Sequence, residues 1–375
     1  MTADPLRPRD RLRFPRWGQR GTTGASIPAE LAFDRVSQVY GSLRALDDVS
    51  LSIAAGELVC LLGQSGCGKT TLLRMAAGIE SPTQGRILLD RREVTGPKLF
   101  LPPEARGIGL MFQDYALFPH LSIIENVTFG LRGLAARDAE IAAKRALSRV
   151  GLERYAADYP HVLSGGEQQR VALARSIAPR PGILLMDEPF SNLDRRLRDA
   201  IRDETVAILR ETGATTVVVT HDPEEAMRIA DRIVLMQAGR IMQAGTAEEI
   251  YRRPADIFAA RFFCDFTEVE GVGRGGRVET PVGLFFAAPQ VADNAAAIVC
   301  IRPQGVRLKP AGFCLPGRLL SRRFLGEVEL VQVAVQGLDH PLQARVRGPV
   351  LVNAGEDVGV EIDPDEVLVF AAGHP

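Results

Sequence analysis

A continuously apolar run, Leu58-Val59-Cys60-Leu61-Leu62, stops at the octet Gly63-Gln64-Ser65-Gly66-Cys67-Gly68-Lys69-Thr70, and Leu72, Met75, Ala76 and Ile79 then recur at helical spacing. The octet fits G-x-x-x-x-G-K-[ST], in which glycines let backbone N–H groups curl around phosphates, the lysine reaches the β and γ groups, and the hydroxyl holds Mg²⁺. A central parallel strand feeding a helix puts the amides of Gly66, Gly68, Lys69 and Thr70 at a helix N-terminus, where the dipole also favours anions. Any fold for this chain must therefore carry the octet on the carboxyl edge of a parallel α/β sheet. Lys69 is read as the phosphate contact, Thr70 as the Mg²⁺ ligand, and Cys67 as a small packing residue.

Two more apolar runs end in polar groups: Ile183 to Met186 leads into Asp187-Glu188, and Val217 to Val219 into Thr220-His221. Ligands bind along the carboxyl ends of strands in such sheets, so the octet, the acidic pair and the histidine are expected to converge. Asp187 is placed to hold Mg²⁺ through water, and Glu188 to polarise an attacking water as general base. Paired carboxylates also cap helices, and a lone histidine is more often a core residue, so both readings lean on the octet. Between these strands Leu197, Ile201 and Ile208 describe an amphipathic crossover helix. Upstream, Leu31, Phe33 and Val36, then Val49, Leu51 and Ile53, alternate with polar residues and predict an antiparallel opening sheet.

A third string, Leu163-Ser164-Gly165-Gly166-Glu167-Gln168, lies between the octet and the acidic pair. It resembles the signature of ATP-binding cassettes, and with it the chain resembles an ABC transporter ATPase subunit from about residue 31 to about residue 255. The resemblance implies an α/β P-loop NTPase, a cassette with an antiparallel β subdomain and a helical subdomain, followed by a small all-β OB-like domain. It implies ATP hydrolysis with ATP and Mg²⁺ as cofactors. Gly63, Gln64, Ser65, Gly66, Cys67, Gly68, Lys69, Thr70 and Thr71 would line the ATP, with Thr70, Gln113 and Asp187 around Mg²⁺ and Glu188, His221 and Gln113 as the catalytic set. Gln113, in Met111-Phe112-Gln113-Asp114 ahead of Leu117 to Ser122, is similar to the family's Q-loop glutamine; a plain surface glutamine is the other reading. Tyr40, in Val39-Tyr40-Gly41, resembles the aromatic that stacks on adenine; a half-buried strand tyrosine is its alternative.

Ser164, Gly165, Gly166 and Gln168 precede or open a helix through Val171, Leu173 and Ala174, a second anion-binding helix start. In the family this surface completes the P-loop site of another subunit, so one cassette per chain implies a homodimer with two ATP molecules between its halves. Ser191-Asn192-Leu193-Asp194 is similar to the D-loop, with Asp194 crossing that interface. Asn192 and Pro223 depart from the family's usual Ala and Gln, and neither removes a phosphate or metal ligand. A groove near Gln113 and Phe118 would meet integral membrane permease subunits at the cytoplasmic face of the membrane, with an extracytoplasmic solute-binding protein as an indirect partner.

The bulk properties agree. A length of 375 residues favours two domains, and a net charge of -1 gives no reason to expect nucleic acid as a partner. The five cysteines are odd in number and scattered, without metal-binding spacing, which fits a reducing cytosol. No apolar run is long enough to span a bilayer. Residues 1–30, rich in Arg, Pro and Gly, are expected to be a disordered basic extension, with weak attraction to an anionic membrane as the alternative. The cassette is assigned to residues 31–262. From 263 to 375 helical periodicity gives way to short β-rich runs between Gly and Pro turns, predicting a small barrel or sandwich. Ile301-Arg302-Pro303-Gln304 and Arg323-Phe324-Leu325-Gly326 resemble the TOBE regulatory domain of importer ATPases for ferric iron, polyamines, sulfate or thiosulfate, phosphonates or sugars. The pattern at 262–281 looks most like the ferric-iron branch. The rival class, a soluble cassette ATPase, tends to carry two cassettes or a long coiled-coil insertion, and neither is present.

Overall fold

The structure, a computed structural model, describes residues 26–131, 133–191, 193, 195–348, 350 and 352–373. The first 25 positions of the expected basic extension, and Asn192 and Asp194 of the D-loop string, lie outside the described residues. The chain divides into two compact units between Arg252 and Arg253, upstream of the expected boundary at 262/263. Pairing also starts ahead of Leu31: Ser26 N–H donates to the Thr212 carbonyl at 3.0 Å and Ala29 N–H to Gly182 at 3.2 Å.

In the first unit, β1 (Leu31–Tyr40), β2 (Leu43–Ile53), β4 (Gln84–Leu89), β5 (Arg92–Gly96) and β6 (Leu99–Phe100) form an antiparallel sheet in the order β2-β1-β4-β5-β6. Its alternating inward residues, among them Leu31, Phe33, Val36, Val49, Leu51 and Ile53, are buried, as the period-2 pattern requires. The central sheet takes β3 (Leu58–Leu62), β7 (Ile108–Met111), β8 (Ile183–Asp187), β9 (Thr215–Thr220), β10 (Arg232–Gln237) and β11 (Arg240–Gly245) in the order β11-β10-β3-β9-β8-β7. All neighbours are parallel except β11, which returns antiparallel to β10 as an edge hairpin. Every residue of β3, β8 and β9 is buried, because helices cover both faces of a parallel sheet.

The helices are α1 (Lys69–Ala77), α2 (Ile123–Thr128), α3 (Ala136–Arg149), α4 (Gly165–Ile177), α5 (Arg195–Thr212), α6 (Pro223–Ile229) and α7 (Ala247–Arg252). Helix α1 packs Leu72, Met75 and Ala76 into the same core as Leu61, Ile87 and Val219. On the predicted crossover helix, α5, Ile201 and Ile208 are buried. Asn126 of α2 is fully buried yet satisfied: its amide donates to the carbonyls of Phe118, Leu121 and Ser122 at 3.0–3.1 Å and accepts Phe118 N–H at 2.8 Å. That side chain folds the loop before α2 around itself. Among the described residues no helix is long and apolar enough to cross a membrane.

The second unit opens with a helix that periodicity did not predict, α8 (Ile257–Phe263), followed by β12 (Thr267–Arg274), β13 (Arg277–Thr280), β14 (Gly283–Phe286), β15 (Ala296–Ile301), β16 (Val306–Lys309), β17 (Leu315–Phe324), β18 (Val328–Val335), β19 (Leu342–Arg347), β20 (Asp357–Ile362) and β21 (Val367–Ala371). They form two five-stranded antiparallel sheets, β14-β13-β12-β15-β21 and β16-β20-β17-β18-β19. One core, with Val269, Val299, Ile301, Leu319, Val331, Val333 and Val360, serves both. The predicted small all-β domain is thus present, and its valine-rich alternation is what lets two thin sheets share one interior.

Candidate nucleotide site on the carboxyl edge of the central sheet

The loop after β3 depends on glycines at two crowded positions. Gly68 adopts φ 105°, and a Cβ there would stand 2.5 Å from the Ala45 carbonyl oxygen and 2.7 Å from Leu46 Cδ2. A Cβ on Gly63 would stand 2.3 Å from the Met236 carbonyl oxygen. The loop therefore fits between β2 and β10, and α1 begins with no side chain capping its first amides. Lys69 is buried at 4% exposure; its Nζ donates to the carbonyls of Gly63 at 2.8 Å and Gln64 at 2.9 Å and lies 3.6 Å from Cys67 Sγ. The ammonium sits at the centre of the curl with anion-seeking amides around it.

The neighbouring strands deliver the predicted polar groups. Thr70 Oγ1 donates to Asp187 Oδ1 at 3.0 Å, joining the start of α1 to the end of β8. Burial pushes the Asp187 carboxyl above its ordinary value, Glu188 adds to the shift, and the Thr70 bond with Arg74 and Lys69 opposes it. Glu188 follows in a left-handed conformation, φ 43°, fixed by its N–H, which donates to the Val219 carbonyl at 3.0 Å, and by Ser191 Oγ, which donates to the Glu188 carbonyl at 3.0 Å. Such a conformation is costly for glutamate and aims the side chain off the strand. His221 Nδ1 lies 3.2 Å from one carboxylate oxygen, and Gln113 Nε2 donates to the other at 3.3 Å. The segments just past β7, β8 and β9 thus each contribute one member of a Gln–Glu–His group.

Tyr40 ends β1 with 44% of its surface exposed, and its hydroxyl donates to Glu80, just past α1. Ser164 caps α4; its N–H and hydroxyl donate to the Glu167 carboxylate at 3.0 and 2.7 Å. Ser164 and Gly165 are exposed, whereas a Cβ on Gly166 would meet Ile201 Cδ1 at 2.5 Å, so this glycine lets α4 start against α5. Gln168 Nε2 is committed to the carbonyls of Pro160 and Leu163, at 3.0 and 3.1 Å, and braces the loop. Among the described residues no hydrogen bond joins positions 164–168 to the glycine loop, so the chain does not bring its own signature and its own octet together.

Arg175 was missed by sequence reasoning. From the last turn of α4 its guanidinium forks onto the carbonyls of Tyr115 and Ala116, both at 2.7 Å, and lies 5.6 Å from the centre of the Phe118 ring. Tyr115 and Ala116 are both left-handed, with φ 62° and 45°. Arg175 holds this strained turn two residues after Gln113, which ties the glutamine loop to the signature helix. The available signal was an arginine ending the apolar run Val171 to Ala174, an odd residue on a packed face.

The ABC transporter family pattern matches residues 46–191 and the TOBE domain pattern residues 299–370. The chain is 42% identical to the sulfate/thiosulfate import ATP-binding protein CysA 2 of Chromobacterium violaceum, over 92% of this chain and 94% of that protein. It is 41% identical to the Fe(3+) ions import ATP-binding protein FbpC of Streptomyces coelicolor, over 92% and 97%, and 42% identical to the putrescine transport ATP-binding protein PotG of Escherichia coli, over 84% and 86%. Among solved structures it is similar to the dimeric bacterial ABC transporter cassette MJ0796, with a TM-score of 0.52 and 33% identity over 58% of this chain and 98% of that one. A post-hydrolysis state of the same cassette, bound to ADP and Pi, is similar to the same degree. With its phosphate loop, acidic pair and signature helix on a cassette sheet and these relatives matched over most of their length, the chain belongs to the ABC transporter family, among the ATP-hydrolysing import subunits that carry a TOBE domain.

Proposed function

We propose that two copies of this subunit close around two ATP molecules, each supplying the P-loop of one pocket and the signature helix of the other, and that this closure drives permease subunits at the cytoplasmic face of the membrane to import a solute. The observation that carries the reading is the separation inside one chain: the octet and the Gln–Glu–His group share one sheet edge, while the exposed start of α4 makes no bond to it. The dimeric state of the MJ0796 cassette supports it. Lys69 and the loop amides bind the phosphates, and Tyr40 offers its exposed face to adenine. Glu188 takes a proton from the attacking water, oriented for it by His221 and Gln113. Mg²⁺ fits the oxygen set that Thr70 and Asp187 present, with Gln113 bonded to the adjacent Glu188. A hydroxyl and one carboxylate suit an ion that keeps waters and takes phosphate oxygens, and the buried Asp187, whose charge is penalised by its surroundings, gains from a cation. When bound, the ion would neutralise developing phosphate charge. Loss of the γ-phosphate removes the differential affinity for the closed dimer, which then reopens.

For the cargo we propose ferric ions, as in the FbpC proteins of Streptomyces coelicolor and Rhizobium etli, supported by the resemblance of residues 262–281. Sulfate and polyamine relatives are equally similar and give the second reading. Reconstitution with permease and binding protein of the ferric, sulfate or putrescine class tests both claims: ATP turnover should rise with ferric-loaded binding protein. A rise with sulfate or putrescine instead would reassign the cargo, and no permease-dependent turnover with any of them would refute the transport role.

A further inference from the structure

Tyr40 stands at the tip of the β1–β2 hairpin, where Gly41 takes φ 59° and Leu43 pairs back. A strand tip does little to fix a side chain, and an aromatic that must be ordered on binding loses affinity. Here the hydroxyl is tied down. It donates to the Glu80 carboxylate, and Glu80 also receives Arg74 Nη1 at 3.4 Å from within α1. Gln38 and Thr71, the latter in the first turn of α1, are polar neighbours that act on the same phenol and partly offset the rise in its pKa. Gln38 is itself anchored, accepting the Thr83 N–H and hydroxyl at 2.9 and 3.0 Å. Burial and Glu80 keep the phenol above its ordinary pKa, so it remains a donor. The Glu80 bond grips one end of the ring, and its exposed surface stays available.

We propose that Glu80 is a positioning residue for base binding: by gripping the Tyr40 hydroxyl it presets the ring against the phosphate-loop helix, so that a planar purine meets an already ordered stacking face. The inference rests on the reading that Tyr40 stacks on adenine. It makes Glu80, which no phosphate-binding motif includes, part of the selectivity for a nucleoside triphosphate over a bare triphosphate.

Calorimetric titration of the full-length protein with ATP, and separately with inorganic tripolyphosphate, tests it. Glu80→Ala and Tyr40→Phe should each weaken ATP by roughly three- to tenfold, the worth of one hydrogen bond, and leave tripolyphosphate affinity unchanged. The double variant should be no weaker than either single one, because both remove the same bond. Glu80→Gln, which keeps an acceptor oxygen, should recover part of the loss, and Tyr40→Ala should weaken ATP further. If Tyr40→Ala weakens ATP while Tyr40→Phe and Glu80→Ala do not, the clip is refuted and stacking stands. If Tyr40→Ala binds ATP like the wild type, the stacking reading itself falls. Additive losses, or equal losses for tripolyphosphate, would show that Glu80 acts elsewhere.

Discussion

Two helices of the first unit begin at loops of small residues, and they begin in opposite ways. At α1 the loop contributes glycines held in conformations that exclude side chains, a buried lysine bonded to the loop's own carbonyls, and no capping side chain. At α4 the exposed Ser164 turns both its N–H and its hydroxyl onto Glu167. The first start leaves its amides without a side-chain partner, whereas the second has a carboxylate of its own on the Ser164 N–H and hydroxyl. The electrostatics differ in the same sense. Burial raises the Asp187 carboxyl beside α1, whereas the Ser164 bonds lower the Glu167 carboxyl at α4. Two helix starts that share the same dipole thus differ in what their loops leave unsatisfied.

Five experiments probe this contrast, beginning with the largest expected effect. Glu188→Gln should leave ATP binding intact and lower turnover by about 10³, within the range of a lost general base; undiminished turnover removes the base assignment. In that non-turning-over background, Ser164→Arg should weaken ATP-driven association roughly 10²-fold by crowding the exposed start of α4. Elution of that variant as a normal dimer with ATP would argue that this helix start faces no partner. Gly68→Ala should cost about 1–3 kcal/mol of folding stability from backbone strain, with further loss from the Ala45 contact, measured by urea denaturation. The uncapped start would then be shown to depend on glycine geometry.

The smallest effect belongs to the closed start. Glu167→Ala should cost about 1 kcal/mol, as lost helix caps do, and change how stability responds to acid. Because the Glu167 carboxyl is lowered in the folded state, its contribution is present above the ordinary carboxylate range and is lost as pH falls through the lowered value. Asp187 has the opposite sign: raised in the folded state, it favours folding below its ordinary value and loses that contribution as pH rises through the raised one. Asp187→Asn should therefore raise the melting temperature of nucleotide-free protein at neutral pH even as it impairs hydrolysis. A lowered melting temperature would mean that burial is not what governs this carboxyl.

Legibility in the sequence followed distance along the chain. The octet, the acidic pair and Ser164-Gly165-Gly166 are contiguous strings whose chemistry requires fixed spacing, so they could be read directly. The strands β15, β18, β19 and β21 were readable because a short β-rich run between turn residues is a local signal. Helix α8 was not, since its short apolar run has no second turn-length repeat to distinguish it from a strand.

The residues alone determined that a phosphate-binding edge exists, which side chains stand on it, and that a β-rich unit follows, because each of these follows from neighbours a few positions apart. Packing alone decided the left-handed Glu188 between Gln113 and His221, the Arg175 fork on the glutamine loop, and the Glu80 grip on Tyr40. Those pairings join residues from different strands and helices, as Gln113 and Glu188 do across 75 positions. No local pattern encodes which polar groups meet once the sheet order is set, because that choice belongs to the whole core.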